Sequence, residues 1–155
     1  MSRKSSIIDV DALLAGEESM EVSADDVSAC RLGVFGSRSL KDERVMELIG
    51  KHAREHGAQM IVTAAEPAGV CQIAQLYARK AKLPLLLYFL EAEKYARGMW
   101  EHRSDNVINS SDIVLLVHDG ESRGTYNEMQ RTQHFGKPFI YERLPQDPKL
   151  EKITK

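Results

Sequence analysis

The stretch Asp112-Ile113-Val114-Leu115-Leu116-Val117 decides the fold class of this chain. After one acidic residue it is apolar at every position, and it is too short for a helix of ordinary length. A short run that is apolar on both faces is typical of a parallel strand covered by helices on either side. A helical pattern follows over residues 123–135 and ends at Gly136, so the chain passes here from a buried strand into a helix.

Four further apolar runs, outward from this strand, predict strands over residues 31–36, 60–63, 84–89 and 138–141. Apolar positions at three- and four-residue spacings predict helices between them, from Ser39 to Gly57, over residues 70–78 and in part of 91–109. Ser39, with Asp42 three residues later, is the predicted N-cap of the first helix. The alternation predicts an α/β fold, a doubly wound, Rossmann-like parallel sheet of about five strands with helices on both faces.

The composition is that of one globular domain. The chain has 155 residues, of which 43% are hydrophobic and 28% charged, with a formal net charge of −2. The apolar fraction excludes a wholly disordered chain, and no apolar run approaches the roughly 20 residues of a membrane-spanning helix. Two cysteines are too few for a disulfide scaffold and favour a reduced, cytoplasmic compartment. The near-neutral charge argues against nucleic acid as a partner, and no membrane partner is predicted.

The charge is distributed unevenly along the chain. Residues 1–30 carry two basic and seven acidic side chains, a net −5, whereas residues 31–155 carry 19 basic and 16 acidic ones, a net +3. We expect residues 1–30 to form an acidic, partly ordered arm with a short amphipathic helix over residues 7–15. The arm is either a solvated tail, which is the more usual case, or a segment that docks on a neighbouring subunit. A Rossmann-like domain over residues 31–141 and a charged tail over residues 142–155 complete the predicted organisation.

Ligands of a doubly wound sheet bind beyond the carboxyl ends of the strands, where the strand order reverses. This rule selects the loops at residues 36–39, 64–70, 89–97 and 118–125. In the first loop Gly36 permits a tight turn, Ser37 and the backbone amides can hold an anion, and Arg38 adds a fork of donors. An ordinary turn with a helix cap explains the same residues equally well.

The loop after the fourth strand is the second candidate. Its glycines and hydroxyl residues suit a backbone cradle for phosphate or ribose, and its candidate ligand-binding residues are Gly120, Ser122, Arg123, Gly124 and Thr125. Glu128 lies one turn inside the following helix, on the side that Thr125 faces. Its carboxylate can accept ribose hydroxyls or serve as an acid or base. A surface glutamate favoured by the helix N-terminus is the alternative.

Arg103 is a further candidate, because it precedes the fourth strand on a segment that also carries Trp100 and can lean over the same edge. We interpret Cys71 as a packing residue. The spacing of the His, Cys and carboxylate residues predicts no metal site, and no dinucleotide-binding or P-loop string is present, so neither a metal nor a cofactor is predicted. Four histidines receive no catalytic role, three on polar helix surfaces and the last as a hydrogen-bonded strand-end residue: His52, His56, His134 and His118.

Three segments, in order, resemble the SLOG superfamily: GSRS at 36–39, HRSDNVINSSDIVLLV at 102–117 and DGESRGTYNE at 119–128. This group includes the LOG-type phosphoribohydrolases, which cleave the base from nucleoside monophosphates, and small YspA-like proteins. The resemblance covers about residues 31–141 and implies a nucleotide-binding domain, a homo-oligomer and a catalytic pair at Arg103 and Glu128. Arg103 precedes Asp112 by nine residues, as in LOG-type proteins, and GTYNE at 124–128 meets part of the family motif PGGxGTxxE.

The chain departs from the family in the turn after the second strand. The family has a glycine-rich turn there, of the type GGxxGxM, whereas residues 63–70 read TAAEPAGV and retain only Gly69 as a candidate ligand-binding residue. Alanines in place of paired glycines restrict close backbone approach and positive φ. The charge of Glu66 opposes phosphate binding by about 1 kcal/mol or more unless Arg38 or Arg123 offsets it. We therefore expect a ligand less anionic than a monophosphate, or a degenerate pocket.

Three functions from different classes follow. The first is an N-glycosidic hydrolase or transferase acting on a small nucleotide-like substrate, held by Arg38 and the amides around Gly124. Glu128 would engage the ribose or assist departure of the base, and Arg103 would stabilise developing charge. The second is a module that binds or senses a nucleotide-derived ligand without turnover. The third, and weaker, is an interaction protein in which the acidic arm engages a partner.

Overall fold

The computed structural model describes residues 30–92, 94 and 97–146. In this part of the chain five strands alternate with four helices. The strands are β1 (Cys30–Gly36), β2 (Ala58–Ala64), β3 (Leu85–Tyr88), β4 (Ile113–His118) and β5 (Phe139–Arg143). The helices are α1 (Glu43–Glu55), α2 (Gly69–Ala81), α3 (Met99–Asn109) and α4 (Arg123–His134). The predicted acidic arm up to residue 29, with its helix at 7–15, and the predicted tail beyond residue 146 lie outside the described residues.

The five strands form one parallel sheet in the order β3-β2-β1-β4-β5. The chain builds outward from β1 to β3 and then returns to place β4 on the other side of β1. In the β1–β4 pair, Leu32 lies opposite Ile113 and Gly36 opposite Val117, so the carboxyl ends of both strands reach the same edge. The predicted α/β, Rossmann-like fold is confirmed, and its topological switch point lies between β1 and β4.

Helices cover both faces of this sheet. One core cluster joins strand residues such as Val34 to Ile49 of α1 and Ile73 of α2. The second core cluster joins Phe35, which faces the opposite side of the sheet, to Ile108 of α3 and Met129 of α4. Adjacent residues of one strand are therefore buried on opposite faces, which explains why the strands are apolar at nearly every position.

Helix α1 begins later than the sequence predicted. Asp42 is its N-cap, and the Asp42 carboxylate accepts a hydrogen bond from the Arg44 amide at 2.9 Å. Ser39, the predicted cap, instead donates its hydroxyl to Asp119 at 2.6 Å. The prediction was wrong because a carboxylate 80 positions away in the sequence binds this hydroxyl.

The other element boundaries shift by small amounts. Strand β1 begins at Cys30, one residue before the predicted boundary, and β5 continues to Arg143, two residues beyond residue 141. Within the predicted segment 91–109, α3 covers Met99–Asn109. The Rossmann-like unit of the described residues therefore spans 30–143.

Two further observations bear on the class of protein. Across the described ranges, no helix combines the length and apolar character that a membrane crossing requires. Cys30 and Cys71 are both free thiols. Cys71 is buried and burial raises the pKa of its thiol to about 12, so it is a packing residue, as predicted.

Candidate functional site

A cavity of about 350 Å³ opens at the carboxyl edge of the sheet. Its walls come from the loops after β1 and β2, which supply Arg38 and Glu66, and from the neighbouring helices α3 and α4. It therefore lies beside the switch point, where doubly wound sheets hold their ligands. The volume is at the lower end of the range for small-molecule sites.

Four of the predicted site residues line this cavity: Arg38, Arg103, Gly124 and Glu128. Arg103 belongs to α3 and Glu128 to α4, and the packing of these helices against the same face of the sheet brings both side chains to one cavity. Trp100, one turn before Arg103, also contributes to the wall. The two residues predicted to be catalytic are thus neighbours of one open space.

Arg103 is almost fully buried, with 6% of its surface exposed. Its Nη2 donates to Oε2 of Glu66 at 2.7 Å, and its guanidinium carbon lies 5.2 Å from the centre of the Trp100 ring. Its Nε has no hydrogen-bond partner within residues 30–92, 94 and 97–146. A buried N–H without an acceptor raises the free energy of the folded state by about 1–3 kcal/mol. A ligand atom that accepts this hydrogen bond would recover that energy.

Glu66 joins two arginines. Besides Arg103, it accepts hydrogen bonds from Nη2 of Arg38 at 3.1 Å and from Nε of Arg38 at 3.4 Å. The predicted repulsion between Glu66 and an anionic ligand is therefore offset by Arg38 and by Arg103, while Arg123 does not line the cavity. An anion entering the cavity competes with Glu66 for these guanidinium groups.

Glu128 reaches the cavity from α4. Burial raises the pKa of Glu128, the nearby negative charge of Glu66 raises it further, and the value reaches about 8. The charge of Arg103 and a hydrogen bond from the Ser104 hydroxyl oppose this rise only in part. Glu128 is therefore a neutral carboxylic acid at pH 7 and can donate a proton, which an ordinary surface glutamate cannot do.

Four other predicted ligand-binding residues pack behind the cavity: Gly36, Ser37, Gly69 and Thr125. Ser37 and Thr125 are buried, and their hydroxyl oxygens lie 3.3 Å apart. Gly69 has a φ of +75°, and a Cβ atom there would lie 2.4 Å from the Cα of Arg38. At Gly36 a Cβ atom would lie 2.4 Å from the Val70 side chain. These residues hold the β1–α1 loop against α2 and α4, and so they position Arg38.

The loop after β4 holds an anionic group of its own. The Asp119 carboxylate accepts hydrogen bonds from the amides of Glu121 and Ser122, each at 2.8 Å, and from the Ser39 hydroxyl. Burial alone would raise the pKa of Asp119, but these hydrogen bonds outweigh it and lower the pKa to about 2. Asp119 thus occupies the predicted cradle for phosphate or ribose. Three predicted residues of this loop do not line the cavity: Gly120, Ser122 and Arg123.

Sequence reasoning missed Ser104, Asn127 and Arg131 as cavity residues. Asn127 and Arg131 follow Gly124 by three and seven positions, which places all three on one face of α4. Ser104 adjoins Arg103 and follows Trp100 by four positions. Helical periodicity, applied outward from the predicted residues, would have found these side chains.

The predictions for the histidines had different outcomes. His118 is hydrogen-bonded as predicted, with Nδ1 at 2.8 Å from the Tyr141 hydroxyl and Nε2 at 2.9 Å from the Ser122 carbonyl oxygen. His52 is not on a polar surface, because it is buried and its Nε2 lies 2.6 Å from Oε2 of Glu142. That prediction was wrong because the partner comes from β5 and the pattern of α1 alone does not show it. His56 and His134 are exposed.

Comparison of the chain with protein-family models, curated proteins and solved structures found no match.

Proposed function

We propose that the cavity binds a nucleoside or a nucleotide derivative and that Glu128 and Arg103 promote hydrolysis of its N-glycosidic bond. One observation carries the proposal: a carboxylic acid that is protonated at neutral pH shares a small cavity with a buried arginine whose Nε lacks an acceptor among the described residues. A proton donor and a cation together suit a reaction in which the leaving group develops negative charge and accepts a proton. The resemblance to the SLOG superfamily assigns the same two residues.

Glu128 and Arg103 have different roles in the proposed reaction. As the bond between C1′ and the base nitrogen breaks, its electron pair leaves with the base, and Glu128 donates a proton to the base. Arg103 stabilises the negative charge that develops on the departing base. Water then bonds to C1′, and the Glu128 carboxylate accepts the proton that this water loses. The products are the free base and the ribose-containing fragment, and Glu128 is protonated again.

The charges around the cavity favour a ligand that is less anionic than a nucleoside monophosphate. Glu66 already binds Arg38 and Arg103, so a phosphate gains their full attraction only by displacing a carboxylate. Arg38 is the more accessible of the two, with 60% of its side chain exposed. A phosphate would therefore reach Arg38 first. An added Cβ atom at Gly124 would lie 3.9 Å from the Ser122 hydroxyl oxygen, an ordinary van der Waals contact, so ligand atoms have room against the start of α4.

A non-catalytic binding or sensing module is the second candidate. The observation that favours it is the β2–α2 turn, where alanines replace the paired glycines of the family. The amides of Ala65 and Glu66 donate to the carbonyl oxygens of Tyr88 and Ala64, at 2.9 and 2.8 Å. These two amides are therefore already used within the chain and do not serve a phosphate. A site changed in this way suits ligand retention without turnover.

The test is chromatography of the products formed from a panel of nucleosides and nucleoside monophosphates, with calorimetry of the same compounds. We expect the wild type to release base. In Glu128→Gln the rate of base release should fall by at least about 100-fold, which is the usual contribution of a general acid. Glu121→Gln is the matched control, because Glu121 is exposed and does not line the cavity. Binding without release of base would favour the sensing module over the hydrolase. The absence of both binding and base release would refute both candidates.

The homo-oligomer and the cytoplasmic location belong to the same proposal. The large exposed aromatic side chains of α3 and α4, Trp100 and Tyr126, would suit a contact between copies of the chain. Light scattering coupled to size-exclusion chromatography tests this point: a monomer at all concentrations would contradict it. The interaction-protein alternative depends on the acidic arm, and the described residues add nothing in its favour.

A further inference from the structure

The C-terminal end of α1 carries a cluster of possible metal ligands that the cavity does not use. His52, Glu55 and His56 stand at positions i, i+3 and i+4, on one face of the helix. One donor atom from each lies within 4.8 Å of the donor atoms of the other two. His52 is buried, whereas Glu55 and His56 are exposed, so the cluster has a protein side and a solvent side.

His52 is oriented by a carboxylate from another element. Its Nε2 lies 2.6 Å from Oε2 of Glu142 on β5, so Nε2 carries the hydrogen and donates it. In the neutral ring Nδ1 then holds a lone pair. This atom is buried and has no hydrogen-bond partner in the part of the chain that the structure describes.

The other ring nitrogen of His52, Nδ1, lies near the carboxylate of Glu55. Oε1 of Glu55 lies 3.7 Å from Nδ1, so a lone pair and a carboxylate oxygen lie close together with no hydrogen between them in the neutral ring. Either a second proton on the ring or a bound cation resolves this contact. The ring of His56, stacked at 6.3 Å from that of His52, brings a further nitrogen donor to the same place. Two imidazoles and a carboxylate are a metal-binding donor set.

We propose that His52 Nδ1, a Glu55 carboxylate oxygen and a ring nitrogen of His56 bind Zn²⁺ or a similar divalent transition-metal ion. Glu142 would act as a positioning residue, because a carboxylate that accepts the other ring N–H of a ligating histidine fixes its tautomer and orientation. The C-terminal end of a helix also favours a cation. The donor set excludes Mg²⁺ and Ca²⁺ as preferred ions, because these bind oxygen ligands.

The site closes with small side-chain movements. Ligand atoms around a tetrahedral zinc ion stand roughly 3.4 Å apart, given bond lengths of about 2.0–2.2 Å. Oε1 of Glu55 already lies 3.7 Å from Nδ1 of His52. Because the three donor atoms all lie within 4.8 Å of one another, closing the site requires movements of at most about 1.4 Å. Both side chains are exposed to solvent, so they can move toward His52 without disturbing buried residues. Water would take the fourth position, on the solvent side. None of the three residues lines the cavity, so the metal site stands apart from the proposed function.

Calorimetric titration of the full-length chain with ZnCl₂ tests the proposal. We expect one ion per chain, and an affinity lower by at least about tenfold in His56→Ala and in Glu55→Gln. Glu142→Gln keeps all three ligands and should weaken binding by about 10–100-fold. His134→Ala is the matched control, because it removes an exposed histidine that is not in the cluster, and it should bind as the wild type does. Each variant leaves the buried His52 in place, and circular dichroism checks its fold.

A second probe reports on the ligands themselves. Co²⁺ bound in place of Zn²⁺ should give the visible absorption of a four-coordinate site in the wild type and in His134→Ala, and lose it in His56→Ala. Three results would each overturn the proposal. They are no Zn²⁺ binding at concentrations up to about 1 mM, unchanged affinity in both His56→Ala and Glu55→Gln, and binding of Ca²⁺ as tight as that of Zn²⁺.

Discussion

The stability of the protein should fall as the pH rises from 5 to 9, and Glu128→Gln should remove most of this fall. The pKa of Glu128 is raised from its ordinary value of 4.5 to about 8. Between these values the folded protein holds a proton that the unfolded chain has released, so rising pH favours unfolding. Below pH 4.5 both states are protonated and the stabilisation is fully present. It is lost as the pH rises through about 8, and above that pH both states are ionised.

The structure sets the size of the effect. The difference between about 8 and 4.5 corresponds to at most about 5 kcal/mol in the free energy of unfolding. Glu128 is only partly buried, and solvent weakens electrostatic energies at such a residue, so we expect roughly 2–5 kcal/mol. Glutamine has nearly the same shape and does not ionise. The curve of the Glu128→Gln variant should therefore be flatter than that of the wild type by this amount.

Urea denaturation at several pH values between 5 and 9 measures the difference directly. Glu121→Gln is the control, because this exposed carboxyl lies near the same helix and outside the cavity. Its curve should remain parallel to that of the wild type. Parallel curves for the wild type and Glu128→Gln would refute the reasoning. Glu128 would then be ionised in the native protein at neutral pH, and its role as a proton donor would lose its basis.

Three further predictions concern the residues around the cavity and the core. Gly69→Ala should lower the free energy of unfolding by at least about 3 kcal/mol and Gly57→Ala by only about 1 kcal/mol, since both residues have positive φ but only Gly69 would place a Cβ atom against the backbone; equal losses in urea denaturation would contradict this. Asp119→Asn should cost about 2–3 kcal/mol at pH 7 and reduce by a similar amount the loss of stability that the wild type shows as the pH falls from about 4 to 2, because the pKa of Asp119 is lowered from 3.8 to about 2; an unchanged acid limb of the pH–stability curve would argue against it. In a Cys30→Ser variant, Cys71 should react with a thiol reagent at pH 8 only when the protein unfolds, since its thiol is buried and has a pKa of about 12; rapid reaction of the native variant would disprove this.

The fold was predictable because its signals are local. Buried strands such as residues 113–117 are apolar on both faces, and α1 and α2 have apolar residues on one side, so periodicity identifies these elements. The strand order then placed Arg103 and Glu128 at one edge. What the sequence could not provide are partners from distant segments. Ser39 was predicted to cap α1, but its hydroxyl binds Asp119, which lies 80 positions away in the sequence.

The same limit applies to the charges of the cavity. The sequence identified Glu66 as a negative charge and Arg38 as one residue that can offset it. That Arg103 also binds Glu66, and that Glu66 raises the pKa of Glu128, depends on the packing of α3 and α4. Burial of His52 depends in the same way on Glu142 of β5. The residue types were recognisable in the sequence, whereas their electrostatic coupling arises only in the folded chain.

The carboxylate of Asp119 has a consequence for the energetics of binding. By accepting hydrogen bonds from two amides and a hydroxyl, it fixes the conformation of the loop after β4 through contacts within the chain. Ordering a loop on binding costs conformational entropy, and a loop that is already ordered avoids this cost. The proposed ligand of the neighbouring cavity would therefore meet a preorganised wall at the start of α4. Its association should proceed without a slow folding step. Its affinity should reflect contacts with Arg103, Glu128 and Gly124, because ordering the loop costs little further entropy.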